Sequence, residues 1–103
     1  MQRIVGSASL KFNSQEVFKH KAELGITVHD NYQNLGKGTA LLNHLLTIAR
    51  MKKLKKVWLM VNTRNDKAIQ LYKKAGFEIE GIMRKELYLK GKYLDEYRMA
   101  IFL

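Results

Sequence analysis

Apolar and polar positions alternate twice near the start of the chain. Residues 3–12 put Ile4, Gly6, Ala8, Leu10 and Phe12 on one side of an extended segment. Residues 20–29 put Ala22, Leu24, Ile26 and Val28 on one side and Lys21, Glu23, Gly25, Thr27 and His29 on the other. A period of two is that of a strand. NSQE at 13–16 is turn-like, and HDNYQN at 29–34 reads as a polar loop. From Gly36 to about Lys53 the period lengthens, and Leu41, Leu42, Leu45, Leu46, Ile48 and Ala49 form a wide apolar helical face. VWLMV at 57–61 is a continuous apolar run, which predicts a short strand buried on both sides. Asn65 or Asp66 offers an N-cap for a helix through AIQLYKKAG, with Lys73 and Lys74 in its last turn and Gly76 just past its end. The remaining residues read as two strands around LKGK, with Gly91 in the turn. The order strand, strand, helix, strand, helix, strand, strand predicts an α/β fold: a mixed, mostly antiparallel twisted sheet with two packed helices.

Composition narrows the class. The chain has 103 residues, enough for a single domain over 1–103, and 47% of them are hydrophobic, as in a globular chain. There is no cysteine, which excludes disulfides, thiolate metal sites and a cysteine nucleophile, and suits a reducing cytoplasm. No apolar run approaches the ~20 residues that span a bilayer. The first residues, MQRIVGSASLKF, lack a long apolar stretch, so no signal peptide is expected. His20, His29 and His44 lack metal-ligand spacing, and no metal is predicted. His44 falls on the long helix and reads as structural or surface; Trp58 reads as core.

The formal charge of +10 admits two readings: a soluble basic surface, or an anionic partner such as nucleic acid, acidic lipid or a phosphorylated cofactor. Its densest cluster, MKKLKK at 51–56, lies where a helix should end, and cations there complement the helix dipole.

Gly36 and Gly38 sit at the start of the long helix, where each costs about 1 kcal/mol against alanine. A helix N-terminus leaves backbone N–H groups without partners, and residues without Cβ let an anion touch them. In QNLGKG the glycines would give access, Lys37 would add charge and Thr39 a hydroxyl. A Walker loop would need glycine at Asn31, and a dinucleotide fingerprint would need glycine at Leu41. Neither named motif is met.

Q-x-x-G-x-G at 33–38, a helix, a buried strand, and then N-x-x-A-x-x-L-Y-x-x-x-G-F at 65–77 resemble the GNAT acyltransferase superfamily. The second element is carried by Asn65, Ala68, Leu71, Tyr72, Gly76 and Phe77. The resemblance covers roughly residues 20–103, and the C-terminal part looks most like spermidine and related amine or amino-acid N-acetyltransferases. It implies acetyl-CoA as acyl donor. In such proteins the strand before the loop splays from its neighbour, and the pantetheine arm pairs with it; Ile26, Thr27 and Val28 occupy that stretch here. The pyrophosphate would sit on the loop Gln33, Asn34, Leu35, Gly36, Lys37, Gly38 and Thr39. Asn65, with Ala68 and Tyr72 on the second helix, would contact the pantetheine or the reactive end.

Acetyl transfer to an amine needs a neutral nucleophile and a leaving thiolate that is stabilised. At pH 7 about one in a thousand alkyl amines is neutral, so a base or water relay helps. Tyr72 is the general-acid candidate, at the position where the resemblance implies a tyrosine near the sulfur. As a plain aromatic it would instead fill core beside Ala68 and Ala75. Glu23 is the base candidate, acting directly or through water, on the strand face that carries Thr27 and His29. The acceptor would be a polyamine, an amino acid or analogue, or a protein N-terminus. Glu78, Glu80, Glu86, Asp95 and Glu96 could supply acidity for a cationic one.

The resemblance also marks a departure. The family's usual N-terminal strand and helices have no counterpart before residues 3–12. The chain then reads as a fragment, or as a minimal version completed by another subunit. A sheet short of an edge strand exposes backbone, which leads to the expectation of a homodimer. Two other readings compete: a non-catalytic acyl-CoA-binding module, and a basic nucleic-acid-binding domain, which MKKLKK and Arg64 favour but no recognised module supports.

Overall fold

The protein is described from a computed structural model, which covers residues 6–28 and 35–103. Within them the chain runs β1 (Gly6–Phe12), β2 (Lys21–Val28), α1 (Leu35–Met51), β3 (Lys56–Asn62), α2 (Asp66–Ala75), β4 (Glu78–Leu89) and β5 (Lys92–Phe102). The NSQE turn opens a short 3-10 turn at Glu16–Phe18. One sheet holds these five strands in the order β1-β2-β3-β5-β4. The β2–β3 pair is parallel and the other pairs are antiparallel, so the sheet is mixed and mostly antiparallel, as expected.

Both helices cover the same face. Leu42, Leu45, Leu46 and Ala49 of α1 and Ile69 and Tyr72 of α2 are buried in one cluster with Ala22, Leu24, Val57, Leu59, Val61, Met99 and Ile101. The sheet residues are register partners or alternate positions on one side: Val57 faces Ile101 and Leu59 faces Met99. Burial of that much aliphatic surface, at roughly 25 cal/mol per Å², is what orders the two layers. Leu54 is also buried, so the MKKLKK cluster is anchored to the core by its leucine.

This arrangement corrects two expectations. VWLMV is not buried on both sides: Val57, Leu59 and Val61 are buried, while Trp58 and Met60 are only half-buried. The helices pack on one face, so a continuous apolar run still alternates in environment. Trp58 accordingly leaves the core. Its ring lies on the helix-free face under the Arg98 guanidinium, 3.8 Å from centroid to carbon, a cation–π stack. Glu80 ties that Arg98 (3.5 Å) to Lys56 (3.0 Å).

The helix ends follow local chemistry. Asn65 caps α2 by accepting from the Ala68 N–H at 3.2 Å. Gly76 closes it in the left-handed region at φ 110°, a conformation that costs glycine least. The β4–β5 hairpin turns through Lys90 and Gly91, both at positive φ, as a tight two-residue reversal requires. Two register shifts bend β4, and at the second Lys85 takes φ 54° with its amide bound to the Asp95 Oδ1 at 2.8 Å.

Candidate functional site

The parallel pairing of β2 and β3 is short. It runs Lys21↔Lys56, Ala22↔Val57 and Glu23↔Trp58. Past that point β2 continues to Val28 against β1 alone, and β3 continues to Asn62 against β5 alone. The sheet therefore forks after Glu23 and Trp58. Each inner edge of the fork presents backbone N–H and C=O groups without a strand partner, and such groups pair with an extended amide-bearing ligand. Ile26, Thr27 and Val28 lie along the β2 edge of this fork, in register with Ala8, Ser7 and Gly6 on the far side.

Both helices start from the open end of the fork, because α1 follows the C-terminal end of β2 and α2 follows that of β3. The first turn of α1, Leu35 to Thr39, carries no acidic side chain to oppose an anion. Gln33 and Asn34 lie outside the described residues. Gly38 has a second physical reason to be small. It is buried, and a Cβ there would meet the Leu71 Cδ2 at 3.3 Å. Close approach of α1 to α2 thus accounts for Gly38. At α2, the cap uses the Asn65 Oδ1 and leaves the side-chain NH2 outside it.

Tyr72 and Glu23 lie on opposite faces of the sheet. Tyr72 is 6% exposed, on the helix side, with its ring 5.8 Å from that of Phe77. Burial away from water pushes its phenol up from about 10 to about 12. Ala68, one turn earlier, packs half-buried against the same core. Glu23 is half-buried on the helix-free face at the last paired position of the fork, across from Lys11. A cavity of about 230 Å³ opens beside it, walled by Lys11, Phe12, Phe18, Lys21 and Trp58. Sequence reasoning missed this wall. Its signal is the β1–β2 register, which a turn of uncertain length does not fix in advance.

The acidic residues of the C-terminal strands divide. Glu80 is paired with Lys56 and Arg98, and Asp95 is engaged by the Lys85 amide. Glu96 is raised above the usual carboxylate range, first by burial and then by repulsion from Glu86. Among the described residues no group of histidines and carboxylates is arranged to hold a metal ion. No helix among them is long and apolar enough to cross a membrane.

Known proteins resemble this chain in sequence and in fold. The sequence model of the acetyltransferase (GNAT) family matches residues 1–77. An L-amino acid N-acetyltransferase of Escherichia coli (strain K12) is 33% identical over 98 residues, covering 94% of this chain and 60% of that protein. The spermidine N(1)-acetyltransferase of the same strain is 34% identical over 86 residues, 80% of this chain and 45% of that one. The solved structure of a Salmonella typhimurium protein described as an acetyltransferase with its cofactor acetyl-CoA superposes with a TM-score of 0.88 at 27% identity, over 96% of this chain and 58% of that one. The chain thus spans about half of the length of such relatives.

Proposed function

The chain belongs to the acetyltransferase (GNAT) family, and from that premise we propose that it transfers an acetyl group from acetyl-CoA to a primary amine by direct attack in a ternary complex. The fork between β2 and β3 carries the reading. It offers unpaired backbone to an extended arm with amides, and it opens toward a helix N-terminus with no acidic side chain. These features fit acetyl-CoA, which supplies an activated thioester and a diphosphate.

In this reading Ile26, Thr27 and Val28 hold the arm through their backbone. The amides from Leu35 to Thr39 take the diphosphate, with Gln33, Asn34 and the Lys37 charge adjoining, and the Asn65 NH2 meets a carbonyl near the reactive end, beside Ala68. Glu23 receives the amine proton, directly or through water, on the helix-free face. Tyr72 donates a hydrogen bond to the departing sulfur from the helix face. Direct attack bonds nitrogen and sulfur to the one acetyl carbon in the tetrahedral intermediate, so that carbon would sit in the gap of the fork, within reach of groups from the two faces. A phenol at about 12 stays protonated across the working pH range. Giving its proton wholly to a thiolate of pKa about 8.5 is uphill by roughly 5 kcal/mol, so Tyr72 acts as a hydrogen-bond donor and not as a full proton source.

The acceptor is a small amine or a peptide N-terminus, as the names of the relatives suggest. We take residues 1–103 as one domain, acting in the cytoplasm, with support from the absence of cysteine. We also take it as a homodimer. Support for the dimer is β4, a long edge strand with Ile79, Ile82, Met83, Leu87 and Leu89 exposed. Titration calorimetry with acetyl-CoA, followed by free-thiol release over a panel of amines, tests the activity. Binding with amine-dependent thiol release is expected. Binding without release from any amine would leave only an acyl-CoA-binding module, and a monomeric mass in light scattering would remove the dimer.

A further inference from the structure

The end of the sheet away from the fork carries a surface that acetyl transfer leaves unused. There β1 ends at Phe12, β2 and β3 begin side by side at Lys21 and Lys56, and β5 ends at Phe102, the register partner of Lys56. The helix α1 also ends there, at Met51. Two connections meet on this end, residues 13–20 and residues 52–55. The Lys55 and Lys56 amides both donate to the His20 carbonyl, at 2.7 and 3.2 Å, and the Lys52 ammonium lies 5.5 Å from the Phe12 ring. The two connections therefore present one surface.

That surface interleaves apolar and cationic side chains. Met51 and Val17, 76% and 70% exposed, are the most exposed large apolar side chains among the described residues. Phe18 follows Val17. Phe12 flanks the patch on the helix side and Phe102 on the helix-free side, both exposed. Among them stand Lys21, Lys52, Lys53 and Lys55. None of these four is in an ion pair among the described residues, and Glu16 of the first connection is held by Lys19 at 3.2 Å. Lys53 keeps its charge against a conformational cost. It closes α1 in the left-handed region at φ 61°, with the Leu54 amide on the Ala49 carbonyl at 3.0 Å. Glycine takes that conformation with less strain.

A nucleic acid would answer the charge. Its bases stack on ring faces, however, and gain nothing from an exposed methionine and valine. An anionic bilayer answers both features, since the acyl boundary takes apolar tips and the headgroup phosphates take ammonium groups. We infer that this end docks the protein on an anionic lipid bilayer without spanning it: Val17, Phe18 and Met51 enter the boundary, and Lys21, Lys52, Lys53 and Lys55 lie on the headgroups. The fork then opens away from the bilayer, toward water. A lysine near such a surface adds about fivefold to the partition, so four together add about 600-fold, and salt screens that share.

Co-sedimentation of the intact chain with unilamellar vesicles tests the docking. Vesicles of phosphatidylcholine and phosphatidylglycerol in equal parts should carry the protein down, and phosphatidylcholine alone should bind it at least about a hundredfold more weakly. Lys52→Gln combined with Lys55→Gln should lower the partition about 25-fold. Val17→Ser combined with Met51→Ser should lower it at least about tenfold and leave its salt dependence in place. Lys53→Gly separates docking from folding: it should raise the urea midpoint and still lower the partition about fivefold. Equal sedimentation with the two kinds of vesicle, or a partition that neither double variant lowers, would overturn the assignment. Binding of single-stranded polyuridylate without binding of the anionic vesicles would overturn it too, and would make the surface a nucleic-acid site.

Discussion

Replacing Tyr72 with phenylalanine removes one hydroxyl from a buried ring and leaves its packing against Phe77 in place. The consequence for stability depends on pH. The phenol titrates near 10 when unfolded and at about 12 in the fold, because burial disfavours the phenolate. Below pH 10 both states keep the proton, and the group adds no slope. Above pH 10 the unfolded chain ionises first and is stabilised relative to the fold, so stability falls as pH rises. A tenfold change in an ionisation constant is worth about 1.4 kcal/mol, so the loss reaches about 1.4 kcal/mol by pH 11 and tends to about 3 kcal/mol above pH 12. Tyr72→Phe has no proton to lose and escapes this penalty. Urea unfolding of both proteins, followed by far-ultraviolet circular dichroism from pH 8.5 to 11, isolates it, since the lysine titrations are common to both. The difference in stability should move by about 1.4 kcal/mol in favour of the variant. A constant difference across that range would show that Tyr72 is not shielded as described, and the hydrogen-bond role would lose its physical basis. In thiol release the same variant should be slowed about ten- to hundredfold, the worth of one hydrogen bond to a charged group, and not abolished.

Asn65→Ala should cost about 1 kcal/mol through loss of the α2 cap, measured by thermal melting, whereas Asn65→Asp should keep the cap and the melting temperature. Both should weaken acetyl-CoA binding in calorimetry, which separates the cap from the ligand contact. Gly76→Ala should destabilise by about 1–2 kcal/mol in urea unfolding: its backbone is at φ 110°, and the new Cβ would stand 3.1 Å from the Ile101 Cδ1. Glu80→Gln should cost no more than about 1 kcal/mol at low salt and nothing measurable near 1 M salt, because its partners Lys56 and Arg98 are partly solvated.

Elements defined by local chemistry are legible in the sequence. Period-two alternation locates β1 and β2, the leucine face locates α1, and Asn65 with Gly76 brackets α2 almost to the residue. The hairpin turn is legible because a tight reversal needs Gly91. Features set by which layer covers which face are not. Trp58 reads as core because its neighbours Val57 and Leu59 are apolar, and only the one-sided packing of the helices turns it toward Arg98. Gly38 reads as an anion-access position, and its contact with Leu71 depends on how closely α1 and α2 approach. The cavity is invisible for a similar reason: its wall joins residues near 11, 21 and 58 through register, which no single segment encodes.

The fork has a mechanical side. Among the described residues, a short parallel seam, the Lys55 and Lys56 amides on the His20 carbonyl and the packing of α1 tie the β1–β2 hairpin to the three strands beyond it. An occupant lying in the gap would lace the two flaps of the sheet together along their whole length. The carrier would then be a temporary sixth strand, and the fold would stiffen each time it loads and slacken each time it empties.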